Sequence, residues 1–414
     1  MSSTMRLPDR SAAARVHVPP GDPVALPAAP ARDAMARLAL PLAAAALMAV
    51  PCLATAAEVQ LPRQMAWASY DVGSSGHIQA VAIAAALTNA YGVTLRIVPA
   101  GTDVSRLAPV RDGRIDFATS GSDVFYAAEG VLTFGTPEWG PQPIRLATSS
   151  SADNCLAMGT AADAGIHTPE DLRGKRVGWV VGAPSLQTNV TAFMAFGGVT
   201  WDDVDRVEVG SFGAAWTAMI NGQIDAMSAF TTGATSEQLA ASSRGLRWLD
   251  LPHDDEEGWA RLTAVAPHFV PHVGTMGANM NPDNPLNCAS FPYPVLIHYA
   301  GQDDDLVYNI VRAVSEQVET FAAAEPTAGG WADDRQVFRW VVPFADGAIR
   351  YWREIGVWTD EDQAHNDQLL ARQAVLAEAW EAYTAAPAED FTAGWMQARA
   401  AALTEAGFEP HWTE

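Results

Sequence analysis

The chain is short of positive charge: 25 Lys and Arg stand against 48 Asp and Glu, and Lys175 is its only lysine. The formal net charge is −23; five Arg and three Asp within residues 1–57 carry +2, so the rest of the chain carries about −25. Nucleic acids and anionic membranes bind basic surfaces, so this balance argues against both as partners.

Long apolar runs are absent after residue 57. Before it, Met35-Ala-Arg37 is a short basic start, residues 38–50 are apolar, and Ala54-Thr55-Ala56 is typical of a signal-peptidase site. We therefore predict that residues 1–57 are a disordered leader plus a signal peptide at about 35–57. The apolar run is short for a bilayer span, and a signal anchor is the alternative. The expected product is periplasmic and does not itself span a membrane.

Cysteine is scarce, and only Cys155 and Cys288 follow the predicted signal peptide. An oxidising compartment permits a disulfide between them, but the sequence leaves the pairing open. His268 and His272 are four apart, yet the prolines beside them argue against a helix that presents both to a metal. We expect no metal and no cofactor.

Familiar catalytic motifs are also missing: the sequence has no G-x-S-x-G, H-E-x-x-H, P-loop or dinucleotide fingerprint. A hydrolase using Ser74 or Ser75 would need a nearby base, and His77 is the one local candidate. We therefore expect no enzymatic activity.

The sequence does contain a small-residue turn, Gly73-Ser74-Ser75-Gly76, between a predicted strand and a helix that ends at Gly92. Its glycines allow close backbone approach, and the first amides of the helix have no internal partners. The turn suits a small ligand, although an ordinary strand–helix connection is the alternative.

This pattern occurs twice. Gly73, Gly101 and Gly113 recur as Gly182, Gly210 and Gly222, each 109 positions later, and Gly-x-Ile-Asp recurs at the same offset. Two such units predict two similar α/β lobes whose turns face each other.

Turns that follow strands in both units are rich in Gly, Ser, Thr and Asp, and ligands bind at that edge of open α/β sheets. A helix N-cap is the alternative role, particularly for Asp103 and Asp123. The candidate ligand-binding residues are Gly73, Ser74, Ser75, Gly76, Thr102, Ser122, Asp123, Ser185, Gln187, Thr188, Thr231 and Thr232. Aromatic candidates for the cleft wall, with the core as their alternative, are Trp67, Tyr126, Trp216 and Phe230.

Three runs carry a family resemblance: Thr168-Pro-Glu-Asp-Leu-Arg-Gly-Lys-Arg-Val177, Gly182-Ala-Pro-Ser185 and Asn221-Gly-Gln-Ile-Asp-Ala226. With the stretch over 343–356, they resemble the TAXI branch of the periplasmic solute-binding proteins of TRAP transporters. In that late stretch Ala345 and Asp346 stand where the branch usually has His and Pro.

The resemblance implies a type II periplasmic-binding fold of class α/β, with two lobes, a central ligand cleft and hinge strands. We expect lobe 1 over 63–152 and about 253–358, lobe 2 over 153–252, and a C-terminal helical extension over 359–414. It also implies a monomeric receptor that hands a small organic anion, such as glutamate or 2-oxoglutarate, to TRAP permease subunits. A receptor for a sensor kinase is the alternative.

Overall fold

The computed structural model describes residues 58–413, so the predicted leader and signal peptide lie outside the described residues. Within that range, no helix combines the length and the apolar character needed to cross a bilayer.

The first sheet has five strands in the order β2-β1-β3-β12-β4. The first three strands are parallel, and β12 runs antiparallel to both of its neighbours. The strands are β1 (Gln64–Ser69), β2 (Thr94–Pro99), β3 (Phe117–Ser120), β4 (Ile144–Thr148) and β12 (Val295–Tyr299). The helices that follow β1, β2 and β3 are α1 (Ser75–Tyr91), α2 (Asp103–Arg111) and α3 (Asp123–Glu129). This sheet and its helices are called lobe 1.

The second sheet has seven strands, ordered β7-β6-β8-β5-β11-β10, with β9 also paired to β5. Its strands are β5 (Leu156–Ala161), β6 (Arg176–Val180), β7 (Asp205–Val209), β8 (Ala226–Phe230), β9 (Leu246–Trp248), β10 (Val270–Gly274) and β11 (Leu286–Ser290). Its helices are α4 (Pro184–Phe196), α5 (Phe212–Ile220), α6 (Ala234–Ala241) and α7 (Glu256–Val265). This second sheet with its helices is lobe 2.

The two lobes share one plan, as the sequence repeat predicts. Adding 109 to the bounds of α2, 103–111, gives 212–220, the bounds of α5. The repeated turn glycines fill equivalent backbone positions, since Gly73 has φ +88° and Gly182 has φ +73°. Residues with a Cβ rarely adopt such angles. The prediction of two α/β lobes of the type II periplasmic-binding class is confirmed.

The chain crosses between the sheets twice, from β4 to β5 and from β11 to β12. The sequence analysis expected the return to lobe 1 near residue 253, but β10 and β11 belong to the second sheet. Ala289 pairs with Leu156 in β5, and a disulfide joins the neighbouring Cys155 and Cys288. Pro271 lies within β10, and Pro285 and Pro292 flank β11, so prolines in and around the strand pair favoured a loop interpretation.

Five further α-helices follow β12 in the described residues. They are α8 (Asp304–Glu316), α9 (Val318–Ala324), α10 (Asp346–Glu354), α11 (Asp360–Ala385) and α12 (Phe391–Glu405). Helix α11 begins with a capping box: Thr359 Oγ1 accepts from the Asp362 N–H at 3.2 Å, and the Asp362 carboxylate accepts from the Thr359 N–H at 3.0 Å.

Helices α11 and α12 are fixed to lobe 1 through one buried carboxylate, Glu129, at the end of α3. Arg372 of α11 donates to it at 2.6 and 2.8 Å, and Arg399 of α12 donates both to the carboxylate and to the Glu129 carbonyl. Burial raises the pKa of Glu129, but the two guanidiniums outweigh it and hold the pKa below its usual range. The C-terminal helices therefore stabilise lobe 1.

Glu129→Gln leaves two buried guanidiniums without their counter-ion, so we expect a loss of about 3–5 kcal/mol in the free energy of unfolding at neutral pH. Urea denaturation measures this loss. The exposed Asp112→Asn is the control, and its free energy of unfolding should change by less than about 0.5 kcal/mol.

The contribution of Glu129 should also depend on pH. Because the folded pKa of Glu129 is depressed, its contribution to stability is complete above its unfolded pKa of 4.5 and disappears as the pH falls through the folded value. A difference that persists unchanged into strong acid would contradict this assignment.

Candidate functional site

A cavity lies between the lobes, and both repeats contribute to its walls. Lobe 1 supplies Ser74 and Ser75 from the start of α1 and Arg106 from α2, whereas lobe 2 supplies Ser185 and Asn189 from α4. The two repeated turns therefore face one space. The cavity volume is about 50 Å³, counted as the space open to the centre of a water molecule, so the lobes are closed on each other.

One side of the cavity is aromatic. Phe230 and Tyr293 stack with ring centroids 3.6 Å apart, and Tyr70 lies 5.2 Å from Tyr293. Phe291 also lines this side, and both Phe291 and Tyr293 belong to the segment that crosses from β11 to β12. This wall offers apolar surface to the carbon skeleton of a solute.

The charged part of the wall is built around Arg106. Its guanidinium is buried, with ion pairs of 2.8 Å to Asp103 and 2.9 Å to Asp123, and it lies 4.0 Å from the centre of the Tyr70 ring. Its Nε donates to Ser120 Oγ. Among the described residues, Nη1 of Arg106 has no hydrogen-bond partner. Two carboxylates thus share one guanidinium that retains free donors.

Carboxylates of lobe 1 reach the helix N-termini of lobe 2. Asp103 accepts from the Ser185 N–H at 2.7 Å and from Ser185 Oγ at 2.9 Å, at the start of α4. Asp71 accepts from the Gly213 N–H at 2.9 Å, at the start of α5. Unpaired amides and the helix dipole favour negative charge at such positions. These two contacts connect the lobes directly.

Further hydrogen bonds cross between the lobes around the cavity. Ser75 Oγ and Thr232 Oγ1 are 2.7 Å apart, and the Gly73 carbonyl accepts from the Thr235 N–H at 3.3 Å. The Gly101 carbonyl accepts from the Phe212 N–H at 3.2 Å. The described conformation is therefore held closed by the repeated turns themselves.

The predicted ligand-binding residues divide into two groups. Those that line the cavity are Ser74, Ser75, Thr102, Ser122 and Ser185. Those outside its lining are Gly73, Gly76, Asp123, Gln187, Thr188, Thr231 and Thr232.

Residues of the second group have structural partners. The Gly76 N–H donates to the Tyr293 hydroxyl, and a Cβ at Gly76 would lie 2.4 Å from the Tyr70 ring. Gln187 donates to the Val180 carbonyl. Thr231 donates to the Met276 carbonyl. Of the aromatic candidates, Phe230 lines the cavity, whereas Trp67, Tyr126 and Trp216 are buried outside its lining.

Ser74 does not have the surroundings of a nucleophile. Its hydroxyl donates to the Asp71 carbonyl at 2.7 Å and accepts from the backbone N–H of His77, so it caps α1. Burial lowers the pKa of the His77 ring. The Ser75 hydroxyl pairs with Thr232, so neither serine is joined to the imidazole in a nucleophile–base pair.

Comparison of the sequence with models of known protein families assigns this chain to a family. Residues 72–356, more than half of the chain, match the model of the NMT1-like family. The chain belongs to the NMT1-like family. No curated protein sequence matches it.

Solved structures similar to this NMT1-like protein include binding proteins with low sequence identity. The alkanesulfonate-binding protein from Xanthomonas axonopodis pv. citri bound to MOPS has 14% identity, with 77% of this chain and 95% of that chain covered and a TM-score of 0.41. The periplasmic aliphatic sulphonate binding protein from Escherichia coli has 13% identity, coverage of 84% and 89%, and a TM-score of 0.36. An amino acid ABC transporter substrate-binding protein from Streptococcus pneumoniae bound to L-arginine has 14% identity, coverage of 66% and 94%, and a TM-score of 0.38.

Several residues of the NMT1-like site were missed by the sequence analysis. Arg106 lies three residues after Asp103 and Asn189 four after Ser185, so helical spacing from the predicted turns would have found both. Tyr70 and Asp71 lie three and two residues before Gly73, the first residue of the first turn. Phe291 and Tyr293 were not among the named candidates; they lie in the segment that crosses from β11 to β12, and tertiary structure brings them to the cavity.

Asp103 has an altered acidity in this site. Burial and the neighbouring Asp123 carboxylate raise its pKa to about 6, whereas Arg106 and the two Ser185 donors oppose the rise. Ionisation of the Asp103 carboxyl group in the closed site therefore costs free energy relative to ionisation in water.

Asp103→Asn removes this titrating group. Because the folded pKa is about 6 and the unfolded value is 3.8, the Asp103 contribution to stability is complete below 3.8 and is lost as the pH rises through 6. The unfolding free energy of the wild type minus that of D103N should fall by about 1–3 kcal/mol between about pH 4 and pH 7. Urea titrations over that range measure it, and a pH-independent difference would contradict the assignment.

Proposed function

We propose that this NMT1-like protein is an extracytoplasmic solute-binding receptor rather than an enzyme, and that it binds a small organic acid between its lobes. The observation that carries the proposal is a cavity enclosed by both lobes whose wall contains a buried guanidinium with free donors. A guanidinium is well suited to a carboxylate, which accepts two of its N–H groups at once.

The remaining lining fits the same class of solute. Thr102 and Ser122 add hydroxyl groups, and the aromatic side can cover a short carbon chain. Ligand sites in proteins combine a mainly apolar wall with a few directed polar groups in this way. Dicarboxylates, oxo-acids and amino acids, including glutamate and 2-oxoglutarate, are the proposed ligands.

The proposed mechanism is a hinge motion about the two crossings between the sheets. A solute enters the open form, the helix N-termini of the two lobes close over it, and a membrane permease recognises the closed form. The resemblance to the TAXI branch favours a TRAP permease, and a sensor kinase is the alternative partner. Neighbouring genes distinguish the two: genes for two membrane subunits indicate a TRAP permease, whereas a histidine kinase gene indicates a sensor.

A thermal-shift screen of dicarboxylates, oxo-acids and amino acids tests the ligand class. A saturating ligand at about 100 times its Kd stabilises the protein by about 2.7 kcal/mol, so the melting temperature should rise in a saturable way. Arg106→Lys keeps the positive charge for Asp103 and Asp123 but loses the planar set of donors, so we expect affinity to fall about tenfold or more.

The exposed Arg114→Lys is the matched control, because its side chain is 66% exposed and, within residues 58–413, pairs only with Asp112. It should bind like the wild type. Unchanged affinity in R106K would remove Arg106 from the site, and a wild type that binds no member of the three acid classes would refute the proposed ligand class.

A cross-link tests whether the lobes must open. The hydroxyl oxygens of Ser75 and Thr232 are 2.7 Å apart across the cleft, so Ser75→Cys with Thr232→Cys should form a disulfide in the closed state. Oxidised protein purified without solute should show no ligand-induced thermal shift, and mild reduction should restore it, with wild type treated identically as control. Equal binding by the oxidised and reduced forms would show that entry needs no opening.

A further inference from the structure

Asn189 lies in the cavity wall with an unused hydrogen-bonding group. It follows Ser185 by four residues on α4, so both side chains lie on one face of the helix. Asn189 is 4% exposed, and its Oδ1 atom is buried without a hydrogen-bond partner. Ser185 differs, because Asp103 already accepts from both its amide and its hydroxyl.

An unpaired buried amide oxygen is costly. Leaving such a group without a partner costs about 1–3 kcal/mol, and native structures rarely do so. A solute in the cavity is the natural source of the missing partner. Since Oδ1 can only accept, that partner must be an O–H or N–H group.

The charges around the cavity place the two ends of such a solute. Arg106 is the cation of the lining, whereas Asp71 and Asp103 are further acceptors, already engaged with α5 and α4. An acid group therefore pairs with Arg106. Asp103 is also ion-paired to Arg106, so the acceptor left for a donating group on the same solute is the unpartnered Oδ1 of Asn189.

We infer that Asn189 makes the site selective for organic acids that also carry a hydroxyl or ammonium group, over acids of the same length whose substituent is an oxo group or absent. This inference rests on the proposed binding of organic acids. It assigns Asn189 as the residue that discriminates within that class.

Isothermal titration with matched solutes tests the inference. One series is glutamate, 2-hydroxyglutarate, 2-oxoglutarate and glutarate, and the other is aspartate, malate and succinate. For the wild type, the amino and hydroxy members of at least one series should bind about tenfold to a hundredfold more tightly than the oxo or unsubstituted member. Asn189→Leu should reduce that preference to within about threefold.

Gln187→Leu is the control variant, because Gln187 is on the same helix but outside the cavity lining. It should keep the wild-type preference. Asn189→Ala provides a second variant if circular dichroism shows that N189L is misfolded.

The outcomes separate this inference from the proposed function. Equal affinities across each series in the wild type, or a preference that survives in both Asn189 variants, overturn the inference and leave the organic-acid receptor standing. If no solute of either series binds the wild type, the inference and the proposed ligand class both fail.

Discussion

The closed arrangement of this protein depends on carboxylates of one lobe that occupy helix N-termini of the other. Asp103 is central, because it accepts from the Ser185 amide and hydroxyl in lobe 2 while it pairs with Arg106 in lobe 1. A buried carboxylate of this kind is tolerated only with several strong donors, since the desolvation of the charge is costly. The contact therefore joins the lobes. It also leaves the Asp103 carboxylate easily protonated, since its pKa is raised to about 6.

The aromatic wall and the charged wall of the cavity support each other. Tyr70 covers the Arg106 guanidinium and contacts Tyr293, so water is excluded from the ion pairs on that side. Electrostatic interactions strengthen when water is excluded, which makes the free Nη1 donors of Arg106 effective toward a small anion. The same exclusion makes the unpaired Oδ1 of Asn189 sensitive to the chemistry of the solute.

The sequence predicted most of the local structure, because the signals were local or repeated. The offset of 109 placed α5, and the small-residue turn at Gly73 and the glycine at Gly92 marked the start and the end of α1. The sequence did not predict that β10 and β11 belong to lobe 2, since that follows from the tertiary pairing of β11 with β5. It found the serines of the cavity wall and Phe230 of its aromatic side. It did not name Phe291 and Tyr293, which come from a crossing segment far along the chain. The contacts of Asp103 and Asp71 with the helix N-termini of lobe 2 also depend on tertiary structure, so the sequence alone did not predict them.

The central claim is that the two lobes open and close on a solute held between their repeated turns. Small-angle X-ray scattering of the protein, with and without the solute that gives the largest thermal shift, tests it most directly. We expect the radius of gyration to decrease on binding, and the scattering of the bound form to match that calculated from the closed structure of residues 58–413. Saturation by that solute with no change in the radius of gyration, and with scattering that fits an open form, would contradict the account.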